Sequence, residues 1–327
     1  MYKKNILITG VAGFIGFSLA KKILSEDKNI NVYGIDNLND YYSVKLKKKR
    51  LNILFNSNNF FFSRIDIVDK KKLKIFLNNK NFNLIFHFAA QAGVRYTAEE
   101  PAQYFYSNII GFFNILEILK KQKMKPKKIF YASSSSVYGE QKIIPYKENV
   151  KIDPKNIYAV TKRINEYLVN FYIKRLNIKF IGLRLFTVYG EWGRPDMFLM
   201  KLFKSFFSKK NFYLNNNGKH LRDFTYIGDV LFILKKLINT KINSKHLILN
   251  ICRSEPVSIN KVINFFREKI GNVKLINIKK NNLEILNTYG DNNLIKKYVK
   301  NIKFTNFFEG MMKTFYWYKK NKIYKIT

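Results

Sequence analysis

The sequence predicts an α/β protein, a doubly wound parallel sheet with a smaller mixed α/β part closing over it. Three observations carry this. Short apolar runs at 5–9, 31–36, 60–66, 84–88, 128–133 and 179–185 alternate with helical stretches, among them 14–25, 69–79, 101–121 and 156–176. Strand and helix in alternation make parallel strands with helices on both faces. The first run leads into Gly10, Gly13 and Gly16, which turn the chain into a helix, and the second ends on a carboxylate, Asp36, twenty residues after Gly16. Within the helical stretches, Pro101 follows Glu99 and Glu100, a helix start with acid near its positive end. Past Leu185 the alternation becomes irregular: 215–218 is a turn-rich break, 219–251 reads as a return to the sheet, and 252–327 as a mixed region.

Composition narrows the classes. With 327 residues and 47% hydrophobic content the chain can bury a large core in one or two domains. The single cysteine, Cys252, excludes an internal disulfide and fits a reducing compartment. No stretch is long and apolar enough to span a bilayer. Lys3 and Lys4 precede an apolar segment, but that segment carries the glycines and has no clear cleavage site, so it reads as domain and the expected location is cytoplasmic. Net charge is +38, with basic residues scattered rather than gathered in one tail. The densest run, KLKKKR at 45–50, is read as the solvated face of a helix, and nucleic acid is not an expected partner. An anionic substrate would still be drawn to such a surface.

Three glycines let the backbone approach a ligand, and a helix N-terminus offers N–H groups and partial positive charge, which together seat a pyrophosphate. The spacing G-x-x-G-x-x-G makes Gly10, Gly13, Phe14, Ile15 and Gly16 the candidate cradle of a Rossmann-like domain. Asp36 would accept from both ribose hydroxyls and repel a 2′-phosphate, so the expected cofactor is NAD, with Asn37 beside it. Asp66 and Ile67 end the third strand, where adenine would lie. Phe88, Ala89 and Ala90 end the fourth, small enough for the backbone to run beside a cofactor, and Asn108 is a further candidate contact. His87 lies inside an apolar run with no second His or Cys near it, so it reads as a packed strand residue, and no metal site is expected. The fifth strand ends in four serines, 133–136. Tyr158 and Lys162 stand at i, i+4 on one helix face. A phenol with a pKa of about 10 is a poor base at neutral pH; a neighbouring ammonium would stabilise its phenolate, and Ser134 could hydrogen-bond the same substrate hydroxyl as that phenolate.

Read in order, TGVAGFIG, HFAAQAGVRY, SSSSVYG, YAVTK and RDFTYIGDV resemble the extended short-chain dehydrogenase/reductase family of nucleotide-sugar epimerases over essentially the whole chain. DNLNDYY (36–42) and LRLFTVYGEWGRPDM (183–197) look like its UDP-glucuronate 4-epimerase subgroup. The resemblance implies residues 1–188, with the return near 219–251, as the NAD-binding domain, and 189–218 with 252–327 as the nucleotide-sugar domain. It implies Tyr158 as base at the sugar C4 hydroxyl, Lys162 on the nicotinamide ribose and lowering the tyrosine pKa, and Ser134 as the catalytic hydroxyl. Hydride would leave C4 for NAD and return to the other face of a 4-keto sugar. Arg194 would hold the substrate carboxylate, with Thr187, Ser135 and Ser136 adding donors. Arg222 would meet the UDP phosphates, and Arg95 lies in the substrate-side segment. It also implies a homodimer through a four-helix bundle of 101–121 and 156–176. The chain departs from the family at Glu191, Gly228, Cys252, Arg253 and NNLEIL (281–286). Ser135 and Ser136 stand where 4,6-dehydratases carry an acid pair, and Ser136 where decarboxylases carry glutamate, which argues against both. UDP-glucose 4-epimerisation, another NAD-dependent nucleotide-sugar epimerase or decarboxylase activity, and a non-catalytic basic NAD-binding or RNA-binding scaffold are the alternatives.

Overall fold

The computed structural model describes residues 4–93, 101–141, 143–278 and 287–327; Arg95 and the stretch 281–286 lie outside the described residues. The N-terminal half runs β1 (Lys4–Thr9), α1 (Phe14–Glu26), β2 (Ile30–Asp36), α2 (Val44–Phe55), β3 (Phe60–Arg64), α3 (Lys70–Asn78) and β4 (Leu84–His87). It continues through α4 (Pro101–Tyr104), a π-helical segment (Phe105–Ile110), α5 (Gly111–Lys121), β5 (Lys128–Ser134), α6 (Ile157–Leu176) and β6 (Lys179–Leu185). After β7 (Thr187–Tyr189), α7 (Phe198–Phe207), β8 (Phe212–Asn215), β9 (Leu221–Arg222) and β10 (Phe224–Tyr226), the chain returns through α8 (Ile227–Asn239) to β11 (His246–Ile251).

Seven parallel strands form the main sheet in the order β11-β6-β5-β4-β1-β2-β3. The strands are covered on both faces, which is why they read as unbroken apolar runs: Ile6, Leu7 and Ile8 are all fully buried. One face packs against α1, α2 and α8, the other against α3, α5 and α6. The chain steps outward from β1 to β3 and crosses back to β4, so the strand order reverses beside β1 and opens a crevice at the carboxyl ends. Beyond the sheet lie β12 (Val257–Ser258), α9 (Ile259–Lys269), β13 (Leu275–Ile278), β14 (Asn287–Thr288), α10 (Asn293–Tyr298) and α11 (Phe307–Lys320). Short pairs tie this part together: β7 with β10, β8 with β13, and β9 between β12 and β14. Its core is aromatic, with the rings of Phe203, Phe266 and Phe315 5.3–6.0 Å apart. No described helix is long and apolar enough to cross a membrane.

Several local expectations are corrected. The third strand stops at Arg64 because the Asp66 carboxylate accepts the Val68 N–H at 2.9 Å and turns the chain. The helix at 101–121 is not uniform; its π-helical turn carries Asn108, and such turns favour functional sites. The run at 45–50 is a solvated face only in part: Lys45 and Lys48 are exposed, but two of its basic residues turn inward. Lys47 is 4% exposed and Arg50 fully buried, on the same stripe of α2 as Leu46, Leu51 and Leu54. Charge alone cannot report which face a helix turns inward; partners far along the chain decide it.

Candidate functional site

A cleft of about 760 Å³ lies over the crevice. It is lined by Gly10, Gly13, Phe14, Ile15, Gly16, Asp36, Asn37, Asp66, Ile67, Phe88, Ala89 and Ala90 on one side. Ser134, Ser135, Ser136, Tyr158, Lys162, Thr187, Arg194 and Arg222 line the rest.

The glycine turn is shaped for close approach. Gly10 sits at φ +69, and a Cβ there would lie 2.7 Å from the Ala89 nitrogen; one on Gly16 would lie 2.3 Å from the Gly10 carbonyl oxygen. Gly13 caps α1 with no side chain over its first turn, leaving N–H groups for an anion. At the end of β2 the two Asp36 oxygens accept the N–H of Ala12 (3.0 Å) and of Leu38 (2.9 Å). Burial raises its pKa, against the pull of those bonds and of Lys47 and Arg50. Each oxygen retains a lone pair for a ribose hydroxyl. Asn37 Nδ2 donates to Asp66 at 2.9 Å, joining the ends of the second and third strands. These features fit a dinucleotide.

Asn108 does not line the cleft. Its Oδ1 accepts the Gln91 N–H (2.7 Å), and its Nδ2 donates to the Gln91 carbonyl (3.1 Å) and Thr161 Oγ1 (2.9 Å). It positions the chain after β4 against α6. His87 packs as expected: it is stacked on Phe112 with centroids 4.6 Å apart, hydrogen-bonded to Thr9 at 2.8 Å, and pushed down to about 3 by burial and then by Lys162.

Helix α6 is capped by Asn156, which accepts the Ala159 N–H at 2.9 Å, and this sets Tyr158 and Lys162 in its first turns. Lys162 is buried, which lowers its pKa to about 8. Tyr158 is raised by burial, while a hydrogen bond with Ser134 and the charge of Arg194 pull it down. Two cations face the phenol: Arg194, whose charge pulls its pKa down, and Lys162, whose Nζ lies over the ring, 5.8 Å from its centre.

Arg194 itself is paired. Nε donates to Asp196 Oδ1 (3.0 Å) and Nη2 to Oδ2 (2.7 Å), a fork that outweighs burial and raises the arginine. Tyr41 Oη donates to the same carboxylate at 3.3 Å. Asp196 and Tyr41 were legible only as letters within the two subgroup stretches, with nothing to show that they meet. Among the departures, two converge: Glu191 accepts the Tyr226 hydroxyl (2.8 and 2.7 Å), and a Cβ on Gly228 would lie 2.8 Å from the same ring. Cys252 and Arg253 lie on a segment held by Asp223, which accepts the N–H groups of Arg253, Ser254 and Gly290 and is raised to about 6 by burial.

Comparison with known proteins gives concordant results. A family model described as the NAD dependent epimerase/dehydratase family matches residues 6–252. A UDP-glucuronate 4-epimerase of Thermodesulfobacterium geofontis is 37% identical over 320 residues, 96% of each chain. An uncharacterised protein of Methanocaldococcus jannaschii is 40% identical over 326 residues, 98% of each. A crystal structure of UDP-glucuronic acid 4-epimerase from Bacillus cereus, in complex with UDP-glucuronic acid and NAD, superposes with a TM-score of 0.90 at 30% identity, covering 97% of this chain and 99% of that one.

Proposed function

The chain belongs to the NAD dependent epimerase/dehydratase family, and on that premise we propose that it inverts C4 of UDP-glucuronate, giving UDP-galacturonate through a transient 4-keto sugar. The observation that carries this reading is Arg194, which lines the same cleft as Tyr158 and acts on its phenol. A guanidinium there offers a uronate carboxylate a partner beside the base. The relatives bearing that activity in their names support the same substrate.

NAD, when bound, supplies the hydride acceptor and donor at C4. The glycine turn would hold its pyrophosphate, Asp36 its adenosine ribose, and Lys162 its nicotinamide ribose. Tyr158 would take the proton of the C4 hydroxyl and give it back after inversion. Ser134, bonded to that phenol, would share the hydroxyl and stabilise the phenolate. Ser135, Ser136 and Thr187 would add donors to the sugar, and Arg222 would meet the diphosphate. Residues 189–218 and 252–327 would supply the nucleotide-sugar side.

Incubation with UDP-glucuronate, followed by chromatographic separation of the C4 epimers, tests the proposal; absence of product, or release of a UDP-pentose, overturns it. In the same assay Arg194→Ala is expected to lower kcat/KM about a hundredfold, the effect of losing a charged hydrogen-bonded contact; unchanged turnover removes the assignment. One observation favours a second reading: the Arg194–Asp196 pair carries no net charge, which suits a neutral hexose. A higher kcat/KM for UDP-glucose than for UDP-glucuronate would select it.

Lys162 adds a pH dependence. Its folded pKa is depressed, so its charge is present below about 8 and lost above. NAD affinity is expected to weaken as pH rises through that value, and to lack this inflection in Lys162→Met; calorimetric titration across the range checks it.

We also propose that α4–α5 and α6 pair with a second copy as a four-helix bundle. Phe105, Tyr106, Ile110, Tyr167 and Phe171 are exposed along these helices, an apolar surface of the kind that marks an interface. Light scattering should give twice the chain mass; a monomer mass at micromolar concentration sinks the pairing.

A further inference from the structure

We propose that Arg50 is a positioning residue that couples cofactor binding to the loop carrying Arg194. Arg50 is fully buried. Its Nη1 donates to the Ala12 carbonyl (2.8 Å) and to Tyr42 Oη (2.7 Å), and its Nη2 to the carbonyls of Trp192 (2.5 Å) and Gly193 (3.4 Å). Ala12 stands between Gly10 and Gly13, and Trp192 stands two residues before Arg194. One planar guanidinium thus spans from the cofactor turn to the substrate-side loop.

Both ends are held from outside their own segments. At the turn, the Ala12 N–H goes to Asp36 and its carbonyl to Arg50, so the peptide is fixed from both sides. At the loop, Trp192 adopts φ +64, an uncommon state for a bulky residue that persists only where its surroundings impose it. Arg50 bonds the carbonyl of that residue, and the indole is wedged between Phe17 of α1 (5.1 Å) and Trp317 (5.0 Å). A second tie, Tyr41 to Asp196, holds the same loop to the segment that follows β2. Buried charges so placed are expensive to leave unmatched, so a shift at the glycine turn is transmitted to the loop more cheaply than it is absorbed at Arg50. When a dinucleotide orders the turn, the loop that aims Arg194 is ordered with it. The inference rests on the cofactor and not on the identity of the sugar.

Amide hydrogen exchange on the full chain, with and without saturating NAD, tests it. In the wild type, NAD should slow exchange both at 10–16 and at 190–197, the latter by about fivefold or more if the coupling is of ordinary size. Arg50→Met fills the same space without donors and should keep the slowing at 10–16 while losing it at 190–197. Should that variant fail to fold, Arg50→Lys keeps the charge but cannot reach all four acceptors, and the same loss is expected. Equal slowing at 190–197 in either variant and the wild type overturns the proposal, as does no slowing there in the wild type. A protein that binds NAD but does not turn over UDP-glucuronate would refute the substrate assignment and leave this result readable.

Discussion

Replacing Tyr158 with phenylalanine is expected to lower kcat by about a thousandfold, at the upper part of what a positioned acid–base group supplies, while NAD affinity changes little. The phenol is the group in the cleft that combines a titratable proton with a hydrogen bond to Ser134 and the field of a guanidinium. Phenylalanine keeps the ring and its edge contact with Tyr104, whose centroid lies 6.2 Å away, so the packing survives and the proton carrier does not. Burial alone would make Tyr158 a weaker acid. The neighbouring charge and hydroxyl offset this only in part. Steady-state assays with UDP-glucuronate and a fluorescence titration with NAD separate the two effects. A kcat within tenfold of the wild type would remove Tyr158 from the chemistry and with it the whole mechanism.

Glu166→Ala is expected to cost about 3–5 kcal/mol of stability, the range for breaking a buried ion pair by removing one partner. Glu166 is fully buried beneath the serine-rich end of β5. Arg184, 1% exposed, donates to it by two bonds of 2.9 Å, Ser133 by one of 2.7 Å and Arg163 by another of 2.7 Å. Those bonds outweigh burial and hold the carboxyl below its usual pKa. Its contribution is therefore complete above the unfolded value of about 4.3 and is lost as pH falls through the lower folded one. Without Glu166 the Arg184 guanidinium is left inside the sheet with the Tyr138 hydroxyl (2.9 Å) and the Glu148 carbonyl (3.0 Å) as its partners. Urea unfolding monitored by circular dichroism reads the loss. The double variant Glu166→Leu with Arg184→Met should recover much of it, because an apolar pair needs no desolvation offset. A loss below about 1 kcal/mol, the scale of an exposed pair, would show that the pair does not brace the site. The brace also matters to chemistry, since Ser133 and Arg184 are register neighbours on β5 and β6 and Glu166 belongs to the helix bearing Tyr158 and Lys162.

The strands, the glycine turn and the tyrosine–lysine helix were legible in the chain because each is a local pattern. An apolar run bounded by turn residues, or two side chains four apart, has the same meaning wherever it folds. The cleft residues at the carboxyl ends of the strands follow from the same logic, since those ends meet at one crevice, whereas Thr187, Arg194 and Arg222 came from the resemblance. Arg50 was misread for the opposite reason. KLKKKR is charged, and charge usually faces water, yet the stripe of 46, 47, 50, 51 and 54 was already present in the spacing. The Tyr41–Asp196 contact joins residues 155 apart, and the Arg50–Trp192 bond residues 142 apart. No periodicity reports such pairs.

What the amino-acid sequence determined by itself was therefore the α/β architecture and the cofactor turn, both set by short-range steric and polarity rules, while the family chemistry came through the resemblance of its motifs. What only the tertiary structure decided was which charges are buried and whom they meet: Asp196 on Arg194, Glu166 on Arg184, Arg50 across two loops. A charge leaves water only when partners arrive with it, and here those partners come from segments that the fold alone brings together.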